Sequence, residues 1–262
     1  MIKVIELPID KDMGGLTSYV LQLYRMIDKE EFELTLLSYD DPQNFDVNYN
    51  VETVSRPYHT IQFYKKMKCL LSEGKDIIHF HQSYVNIIPI LIAKLAGFKT
   101  IILHAHSSSI DDNRKIVRFL KTGLHKVGRF LLPYLVDTYV GCSTKASEWM
   151  FPRKCIDSDS YYLLHNAIDL DLYDRNINLG LEVRQKFNIP KDALVVGHIG
   201  RFTPVKNHPF IIDIFKEVLK QNPNSYLFLL GDGVERHKIE SLVKSAAISD
   251  KVIFMGYVNN TV

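Results

Sequence analysis

The residues best suited to chemistry lie in one loop of the second half of the chain. An apolar run at residues 194–199 ends at Gly200, Arg201 follows, and Lys206 comes five residues later, with Pro209 in the first turn of a predicted helix. Arginine binds phosphate oxygens through a fork of N–H donors, and lysine adds a compact charge. A helix N-terminus also favours anions. The loop therefore predicts a diphosphate site, and a solvated basic loop is the alternative.

Two glycine-containing loops follow other predicted strands. Gly14 and Gly15 come after the opening strand, and paired glycines let a backbone approach a phosphate closely, although a plain strand-to-helix turn has the same appearance. Gly231 and Gly233 come after the strand at residues 226–230, but the third glycine of a dinucleotide fingerprint is missing. The sequence contains no GxxxxGK[ST] phosphate loop.

Four histidines stand at or near the ends of two predicted strands: His79, His81, His104 and His106. Alternate residues of a strand point to the same side, and open α/β sheets bind ligands at the carboxyl ends of their strands. A zinc site is one alternative, but no cysteine or carboxylate accompanies these residues at ligand spacing. We therefore predict no metal site, and we interpret His79 and His104 as core histidines bonded to carbonyls.

A basic amphipathic segment lies between Asn113 and Leu135, with six cations and no Asp or Glu. The cations are Arg114, Lys115, Arg118, Lys121, Lys126 and Arg129. The apolar residues at helical spacing are Ile116, Phe119, Leu120, Leu124, Val127 and Leu131. Such a helix is suited to lie on anionic lipid headgroups. The alternative is a surface helix packed on the sheet with a solvated charged face.

Short apolar runs alternate with longer helical stretches, which predicts an α/β protein with parallel sheets covered on both faces. The predicted strands are residues 3–8, 33–38, 51–54, 76–81, 100–105, 138–142, 161–164, 194–199, 226–230 and 252–255. The predicted helices are residues 16–27, 61–72, 84–96, 114–132, 145–150, 182–187, 209–220 and 235–247.

A polar stretch at residues 165–190 separates two such series, so we place a boundary near residue 180. The first lobe, residues 1–180, has a full set of strands. The second, residues 181–262, has three, and we expect its sheet to be cut short because an open three-stranded parallel sheet leaves an edge unpaired.

Composition and net charge limit the classes of protein to which this chain can belong. The chain has 262 residues, 46% of them apolar, and a formal net charge of +2, which does not favour nucleic-acid binding. Three cysteines without CxxC spacing indicate reduced thiols. No leader and no run of about 18 apolar residues is present. We predict a cytoplasmic protein, with possible contact to the inner face of the membrane.

Taken in order, these motifs resemble the retaining glycosyltransferases of family 4, which have the GT-B fold of two facing Rossmann-like lobes and include bacterial exopolysaccharide and glycolipid enzymes. The resemblance covers the whole chain, and its short motifs are specific through their order and spacing. They lie at residues 14–15, 76–81, 104–107, 141–143, 165–169, 200–207, 231–233 and 254–258.

The resemblance implies roles for individual residues. Arg201 and Lys206 would hold the donor diphosphate, the Gly14–Gly15 loop would close over it, and His106 would lie near the transferring sugar as a hydrogen-bonding or proton-relaying group. The remaining donor-binding residues implied by the resemblance are Asn166, Gly200, Gly231, Tyr257 and Val258.

Two departures from the family pattern stand out. Its Asn-Gly-Ile/Val-Asp turn contains Ala167 in place of glycine here, and its Glu-x7-Glu element would fall after Val262. We therefore expect a C-terminally truncated chain with weak or no activity of its own.

The predicted reaction is transfer of a sugar, a hexose, from a nucleoside diphosphate to an acceptor hydroxyl, with retention and without a cofactor. The substrate would be a sugar nucleotide, and the acceptor a saccharide or a lipid-linked one. Two alternatives stay open: a GT-B-fold sugar-nucleotide 2-epimerase, and a non-catalytic fragment or accessory subunit that keeps the acceptor lobe.

Overall fold

The computed structural model describes residues 1–10, 14–112, 114–170 and 177–258. Asn113, at the start of the basic amphipathic segment, lies outside the described residues. The chain forms two compact units, Met1–Ile168 and Asp169–Val262. Residue 180, where the sequence places the boundary, lies within a helix of the second unit.

A seven-stranded parallel sheet forms the centre of the first unit, in the order β3-β2-β1-β4-β5-β6-β7. Its strands are β1 (Ile2–Ile9), β2 (Phe32–Ser38), β3 (Val51–Thr53), β4 (Ile77–Gln82), β5 (Thr100–Ala105), β6 (Thr138–Gly141) and β7 (Tyr161–Leu163). The chain moves outward from β1 to β3 and then returns to β4 on the other side. The carboxyl ends of β1 and β4 therefore form a topological switch point, where open α/β sheets bind ligands.

Helices connect these strands, and local signals set their ends. They are α1 (Gly15–Met26), α2 (Thr60–Ser72), α3 (Ile87–Ala96), α4 (Lys115–Leu135), α5 (Thr144–Met150) and α6 (Arg153–Ile156). The Asn86 side chain accepts a hydrogen bond from the N–H of Ile88 at the start of α3. Gly97 ends that helix with a φ of 106°, which glycine adopts without strain.

The main core of the first unit lies between the sheet and its helices. Ile5, Phe63, Phe80 and Leu103 are almost completely buried in it. A smaller apolar cluster around Leu36 lies under α1. This buried platform fixes the positions at which the strands end.

The second unit has a three-stranded parallel sheet in the order β10-β9-β8. Its strands are β8 (Leu194–Ile199), β9 (Ser225–Leu230) and β10 (Val252–Gly256), and its helices are α7 (Ile177–Lys186), α8 (His208–Gln221) and α9 (Arg236–Ser245). Phe202, Phe215 and Leu229 lie at the centre of its core.

The predicted α/β class, with a parallel sheet in each unit, is confirmed. The structure differs from prediction at α4, which continues through Pro133 to Leu135 instead of ending at residue 132, and at the short α6, which was not predicted. None of the described helices has the length and apolar character needed to cross a lipid bilayer.

Candidate functional site

A cluster of four histidines and one carboxylate lies at the switch point of the first sheet. Strand register accounts for it: Glu6 of β1 pairs with His79 of β4, and His81 pairs with His104 of β5. Alternation along a strand places His79 beside His81, and His106, just after β5, next to His104. The ring centroids of His79 and His81 are 4.2 Å apart, and those of His104 and His106 are 4.1 Å apart.

Glu6 anchors a chain of hydrogen bonds through this histidine cluster. Its Oε2 lies 2.6 Å from Nε2 of His81 and 3.1 Å from Nδ1 of His79. Nδ1 of His81 lies 2.8 Å from Nε2 of His106. Glu6 and His81 are buried, whereas His106 is partly exposed. The chain therefore runs from a buried carboxylate to an accessible imidazole.

Burial controls protonation in the histidine cluster. Burial alone would raise the pKa of the Glu6 carboxyl, but the charge of His79 and the hydrogen bonds from His79 and His81 lower that pKa to about 2. Burial, followed by repulsion from His79, lowers the pKa of His81 to about 4 despite its bond to Glu6. Burial and the neighbouring histidines lower the pKa of His106 to about 3, and that of His104 far below its usual range. At neutral pH these three imidazoles are uncharged.

The sequence interpretation of His79 and His104 as histidines bonded to carbonyls is wrong. His79 is bonded to Glu6, while its Nε2 and both ring nitrogens of His104 are buried without a hydrogen-bond partner in the described part of the chain. For His79, the hydrogen-bond partner is therefore the side chain of Glu6 and not the predicted carbonyl.

Three members of the histidine cluster, His79, His81 and His104, each place one ring nitrogen within 4.8 Å of the others, a spacing that would suit a metal ion. A ligating nitrogen must offer a free lone pair, but both nitrogens of His81 already engage Glu6 and His106. Hydrogen bonding therefore accounts for His81 without ligation. The predicted absence of a metal site stays a prediction.

The N-terminal part of α1 borders the histidine cluster. The Tyr19 ring lies 5.1 Å from that of His106 and 5.3 Å from that of His104. One turn earlier, Gly14 and Gly15 are exposed, neither has a positive φ, and a Cβ on either would meet no atom within 4 Å. Nothing within the described chain requires glycine at these two positions.

The carboxyl edge of the second sheet is built from three loops that bond to one another. The N–H of Gly200 donates to the carbonyl of Leu230, and the N–H of Gly231 donates to the carbonyl of Gly256. Gly231 has a φ of +131°, and a Cβ there would lie 2.2 Å from the carbonyl oxygen of Gly200. Glycine at 231 is therefore required by close backbone packing.

Arg201 and Lys206 lie on this edge and are exposed, with no ion pair to any residue that the structure describes. The stem of Lys206 runs beside Gly200, the residue that precedes Arg201 in the sequence. Helix α8 begins two residues after Lys206, and its first turn has no side-chain cap. The structure thus places two unpaired cations and an uncapped helix start together. We call this arrangement the basic loop.

Beneath the basic loop, His208 is completely buried and packs against Phe202, with 4.3 Å between their ring centroids. Burial, followed by repulsion from His198, lowers the pKa of His208. A neutral, buried His208 supports the loop from below without adding charge to it.

The other predicted donor-binding residues lie in segments without regular secondary structure. Tyr257 and Val258 follow β10 on the same edge as Gly231, and Tyr257 is exposed. Asn166 is exposed in the segment after β7, within the first unit. The structure therefore gathers Gly200, Gly231 and Tyr257 with the basic loop, while Asn166 belongs to the other unit.

Helix α4 carries an exposed apolar face. Residues at spacings of three, four and seven share one side of a helix. The exposed apolar residues at such spacings are Ile116, Phe119, Leu120, Val127, Phe130 and Tyr134. Leu124 and Leu131, which the sequence analysis placed in the same stripe, pack instead against the core of the first unit. Helix α4 thus packs on the first unit, as the alternative predicts, and it also exposes an apolar face; lipid binding stays a prediction.

The six cations of α4 differ in their surroundings. Arg129 donates to the carbonyls of Trp149 and Phe151, so it holds the fold together. Arg114 and Lys121 both pair with Asp112, whose pKa they lower well below its usual range. Lys115, Arg118 and Lys126 are exposed and form no ion pair with any of the described residues. The prediction that Arg129 faces lipid is therefore corrected, because its guanidinium is bonded within the fold.

Sequence reasoning missed Glu6, the anchor of the histidine cluster. A signal was present: Glu6 stands between Ile5 and Leu7 in a strand predicted to be buried on both faces, where an acidic residue is rarely found without a partner. The identity of that partner depends on strand register, which the sequence does not specify.

Comparison with known proteins identifies both units. The model of the Glycosyltransferase Family 4 matches residues 13–172, more than half of the chain, and the model of the Glycosyl transferases group 1 matches residues 181–262.

Among curated proteins, the chain is similar to the putative glycosyltransferase EpsF of Bacillus subtilis, with 25% identity over 93% of this chain and 65% of that protein. A UDP-Gal:alpha-D-GlcNAc-diphosphoundecaprenol alpha-1,3-galactosyltransferase of Escherichia coli is 22% identical over 88% of this chain and 62% of its own length. The chain thus spans somewhat less than two thirds of these relatives.

Solved structures show the same fold. The Anabaena protein HepE, in complex with UDP and glucose, superposes with a TM-score of 0.74 at 14% identity and covers 99% of this chain and 70% of its own. WaaG, a glycosyltransferase involved in lipopolysaccharide biosynthesis, gives 0.65 at 14% identity, with 98% and 70% covered. The predicted GT-B fold is confirmed, and with the family model matching most of its length, this chain belongs to glycosyltransferase family 4.

Proposed function

We propose that this chain acts in transferring a hexose from a nucleoside-diphosphate donor to an acceptor hydroxyl, with retention of configuration, in the synthesis of a cell-surface polysaccharide or glycolipid. The basic loop is the observation that carries this proposal. Family membership supports the transferase class, and the relatives named above include a galactosyltransferase that uses a UDP-sugar. The proposed substrate is a sugar nucleotide, and no cofactor is required.

The basic loop suits a diphosphate because its charges are unpaired and accessible. A guanidinium such as that of Arg201 can offer two parallel N–H donors to phosphate oxygens, and Lys206, whose stem lies beside Gly200, supplies a compact charge. The uncapped first turn of α8 adds free N–H groups and the positive end of a helix dipole. Exposed cations bind without the cost of breaking an existing ion pair.

Charge develops on the leaving diphosphate as the sugar departs. Groups that hold this charge more tightly in the transition state than in the ground state accelerate the step. Arg201 and Lys206 are therefore proposed as catalytic as well as binding residues. His106 is proposed to bind a hydroxyl of the sugar or acceptor, and Gly14 and Gly15 leave room for the donor phosphates.

The remaining donor contacts are proposed along the edge that carries the basic loop. Gly200 and Gly231 keep the loops close to each other, and the backbone of Tyr257 and Val258 lies after β10, where the base would bind. Asn166 is proposed to contact the donor from the first unit.

Titration of nucleotide into the 262-residue chain by calorimetry tests this function. UDP and GDP are compared, with Lys206→Ala as the loop variant and Lys220→Ala as a control at the far end of α8. Binding of one nucleotide that Lys206→Ala weakens and Lys220→Ala does not is the expected result. Equal affinity in all three proteins would refute the diphosphate site.

We further propose that α4 lies on the anionic inner face of the cytoplasmic membrane, where a lipid-linked acceptor would be found. Its exposed apolar face includes Phe119 at 77% and Phe130 at 71% exposure, and exposed Lys115, Arg118 and Lys126 flank that face. Helix α3, which packs on α4, exposes Leu95 as well. An apolar face bordered by cations is the pattern of an interfacial helix.

A further inference from the structure

The hydrogen bonds of the histidine cluster have a fixed direction. Glu6 is 2% exposed, and its carboxylate meets two histidines but no Lys or Arg among the described residues. Its pKa of about 2 keeps it ionised at neutral pH. An ionised carboxylate can only accept hydrogen bonds. Nε2 of His81 must therefore be protonated, and its N–H donates a hydrogen bond to Oε2 of Glu6.

The protonation of His81 also fixes which ring donates in the hydrogen bond between His81 and His106. A neutral imidazole has one N–H and one lone pair, so His81 with a proton on Nε2 has its lone pair on Nδ1. That atom lies 2.8 Å from Nε2 of His106, which must therefore donate. His106 is left with a lone pair on Nδ1, the nitrogen that the chain does not engage.

We propose that Glu6 and His81 are positioning residues that lock His106 in its Nε2–H tautomer, so that Nδ1 of His106 is a permanent hydrogen-bond acceptor for a hydroxyl group. The ligand class is an alcohol, such as a sugar hydroxyl. A neutral ring whose remaining nitrogen carries a lone pair does not bind a phosphate oxygen, which also accepts. This inference rests on the proposed function only for the identity of the alcohol, because the tautomer itself is a property of the free protein.

The lock follows a common physical pattern. A histidine whose second nitrogen is bonded to a carboxylate is held in one tautomer and one ring orientation. Here the carboxylate acts through an intervening imidazole, and both inner members are buried away from water that would exchange their protons. His104, equally buried and beside His106, has no hydrogen-bond partner among the residues that the structure describes and takes no part in this hydrogen-bond chain.

Nitrogen-15 NMR of the histidine-labelled 262-residue chain at pH 7 tests the lock. The expected spectrum shows His106 and His81 with the proton on Nε2 and a bare Nδ1, and a protected Nε2–H signal for His106. His106→Ala assigns the signal. Finding the proton on Nδ1 of His106, or on both nitrogens, in the unaltered chain would overturn the proposal whatever the variants do.

His81→Phe and His104→Phe form a matched pair, since both replace a buried ring at paired positions of adjacent strands. His81→Phe should abolish the protected Nε2–H signal of His106, and His104→Phe should preserve it. Glu6→Leu should do the same as His81→Phe. Survival of the His106 Nε2–H signal in His81→Phe would contradict the proposed hydrogen-bond chain from Glu6 through His81 to His106. Because none of these spectra needs nucleotide, failure here is distinct from failure of nucleotide binding at the basic loop.

Discussion

The carboxyl edges of the two parallel sheets have opposite electrostatic character. In the first unit, Glu6 and its histidines are withdrawn from water, and burial keeps the imidazoles neutral. In the second unit, Arg201 and Lys206 are cationic side chains exposed to solvent beside close-packed glycines. Similar strand-to-helix architecture therefore carries a buried histidine cluster in one unit, proposed to bind a hydroxyl group, and exposed cations in the other, proposed to bind an anion.

The difference has a simple physical basis. Removing a charge from water costs several kcal/mol, so a buried edge binds through oriented neutral groups, whereas an exposed edge retains cations at little cost. Exposed cations in turn interact with water and salt, so they hold a dianionic diphosphate well and a neutral sugar poorly. This contrast supports the proposal that each edge binds a different part of a sugar nucleotide.

The largest expected effect concerns the backbone of the second edge. Gly231→Ala should lower the free energy of unfolding of the second unit by roughly 2 kcal/mol or more, because it combines an unfavourable φ with a clash against the carbonyl of Gly200. Gly197→Ala, where an added Cβ meets nothing within 4 Å, is the control and should change stability little. Urea unfolding followed by circular dichroism measures both. Equal effects would show that Gly231 is not packed as described.

The first edge should lose stability as pH falls. The folded pKa values of His81 and His106 lie below the 6.5 of an unperturbed histidine, so the unfolded chain takes up more protons below pH 6.5. The contribution of these histidines to the free energy of unfolding is therefore fully present above pH 6.5. It declines toward pH 4, by up to about 1.4 kcal/mol per pH unit for each group. Lowering pH from 4.5 toward 2 removes the contribution of Glu6 as well.

Trp149 provides the measurement, since it is the single tryptophan of the chain and lies in the first unit, stacked on His125 at 4.2 Å. Urea unfolding monitored by its fluorescence at pH 7 and pH 5 should differ by about 2 kcal/mol or more. The His104→Phe variant should show a shallower dependence. A midpoint that does not move between the two pH values would contradict the neutral, buried state of the histidines at the first edge.

A third prediction separates the membrane face from both edges. Replacing Lys115, Arg118 and Lys126 with Gln should weaken binding to vesicles containing phosphatidylserine by up to about 1 kcal/mol for each charge. Arg129 is left intact because its bonds to two carbonyls belong to the fold.

The control for this experiment is the same number of Lys→Gln changes on the second unit, at Lys191, Lys216 and Lys220. These should leave vesicle binding unchanged, while Phe119→Ser should reduce it. If the unaltered chain ignores such vesicles at low salt, or if both triple variants bind equally, α4 is not a lipid-binding helix.

The smallest effect is expected at the glycines of the first unit. Gly15→Ala should leave stability unchanged or raise it by up to about 1 kcal/mol, because alanine favours a helix and the added Cβ lies in open space. Affinity for UDP should fall if the loop approaches the donor phosphates. Thermal unfolding and calorimetry measure the two quantities. A stability loss beyond about 1 kcal/mol would show that Gly15 is needed by the fold itself.

Sequence alone predicted the elements well, since apolar runs and helix signals are local. Residues 100–105 and 194–199 form strands with the predicted bounds. Contacts that depend on long-range register were not predictable. Glu6 meets His81 only because β1 and β4, 75 positions apart at these residues, become neighbours in the sheet.

Helix α4 shows the same limit. Its periodicity predicted an apolar stripe, but two adjacent stripes have similar periodicity, and only packing shows that Leu124 faces the core while Phe119 faces solvent. Likewise, the charge of Arg129 was evident in the sequence, whereas its bonds to the carbonyls of Trp149 and Phe151 required the fold of α5 and its following turn.

Calorimetric titration of UDP into Arg201→Ala and His106→Ala, side by side, tests the contrast between the two edges most directly. Arg201→Ala should lose about 1.5–3 kcal/mol of binding free energy because a charged hydrogen-bonding group is removed. The dissociation constant for UDP should therefore rise roughly 10- to 150-fold. His106→Ala should bind UDP as the unaltered chain does, since its neutral ring takes a hydroxyl and not a phosphate. Unchanged affinity in Arg201→Ala, or an equal loss in His106→Ala, would contradict the division between a charged diphosphate edge and a neutral hydroxyl edge.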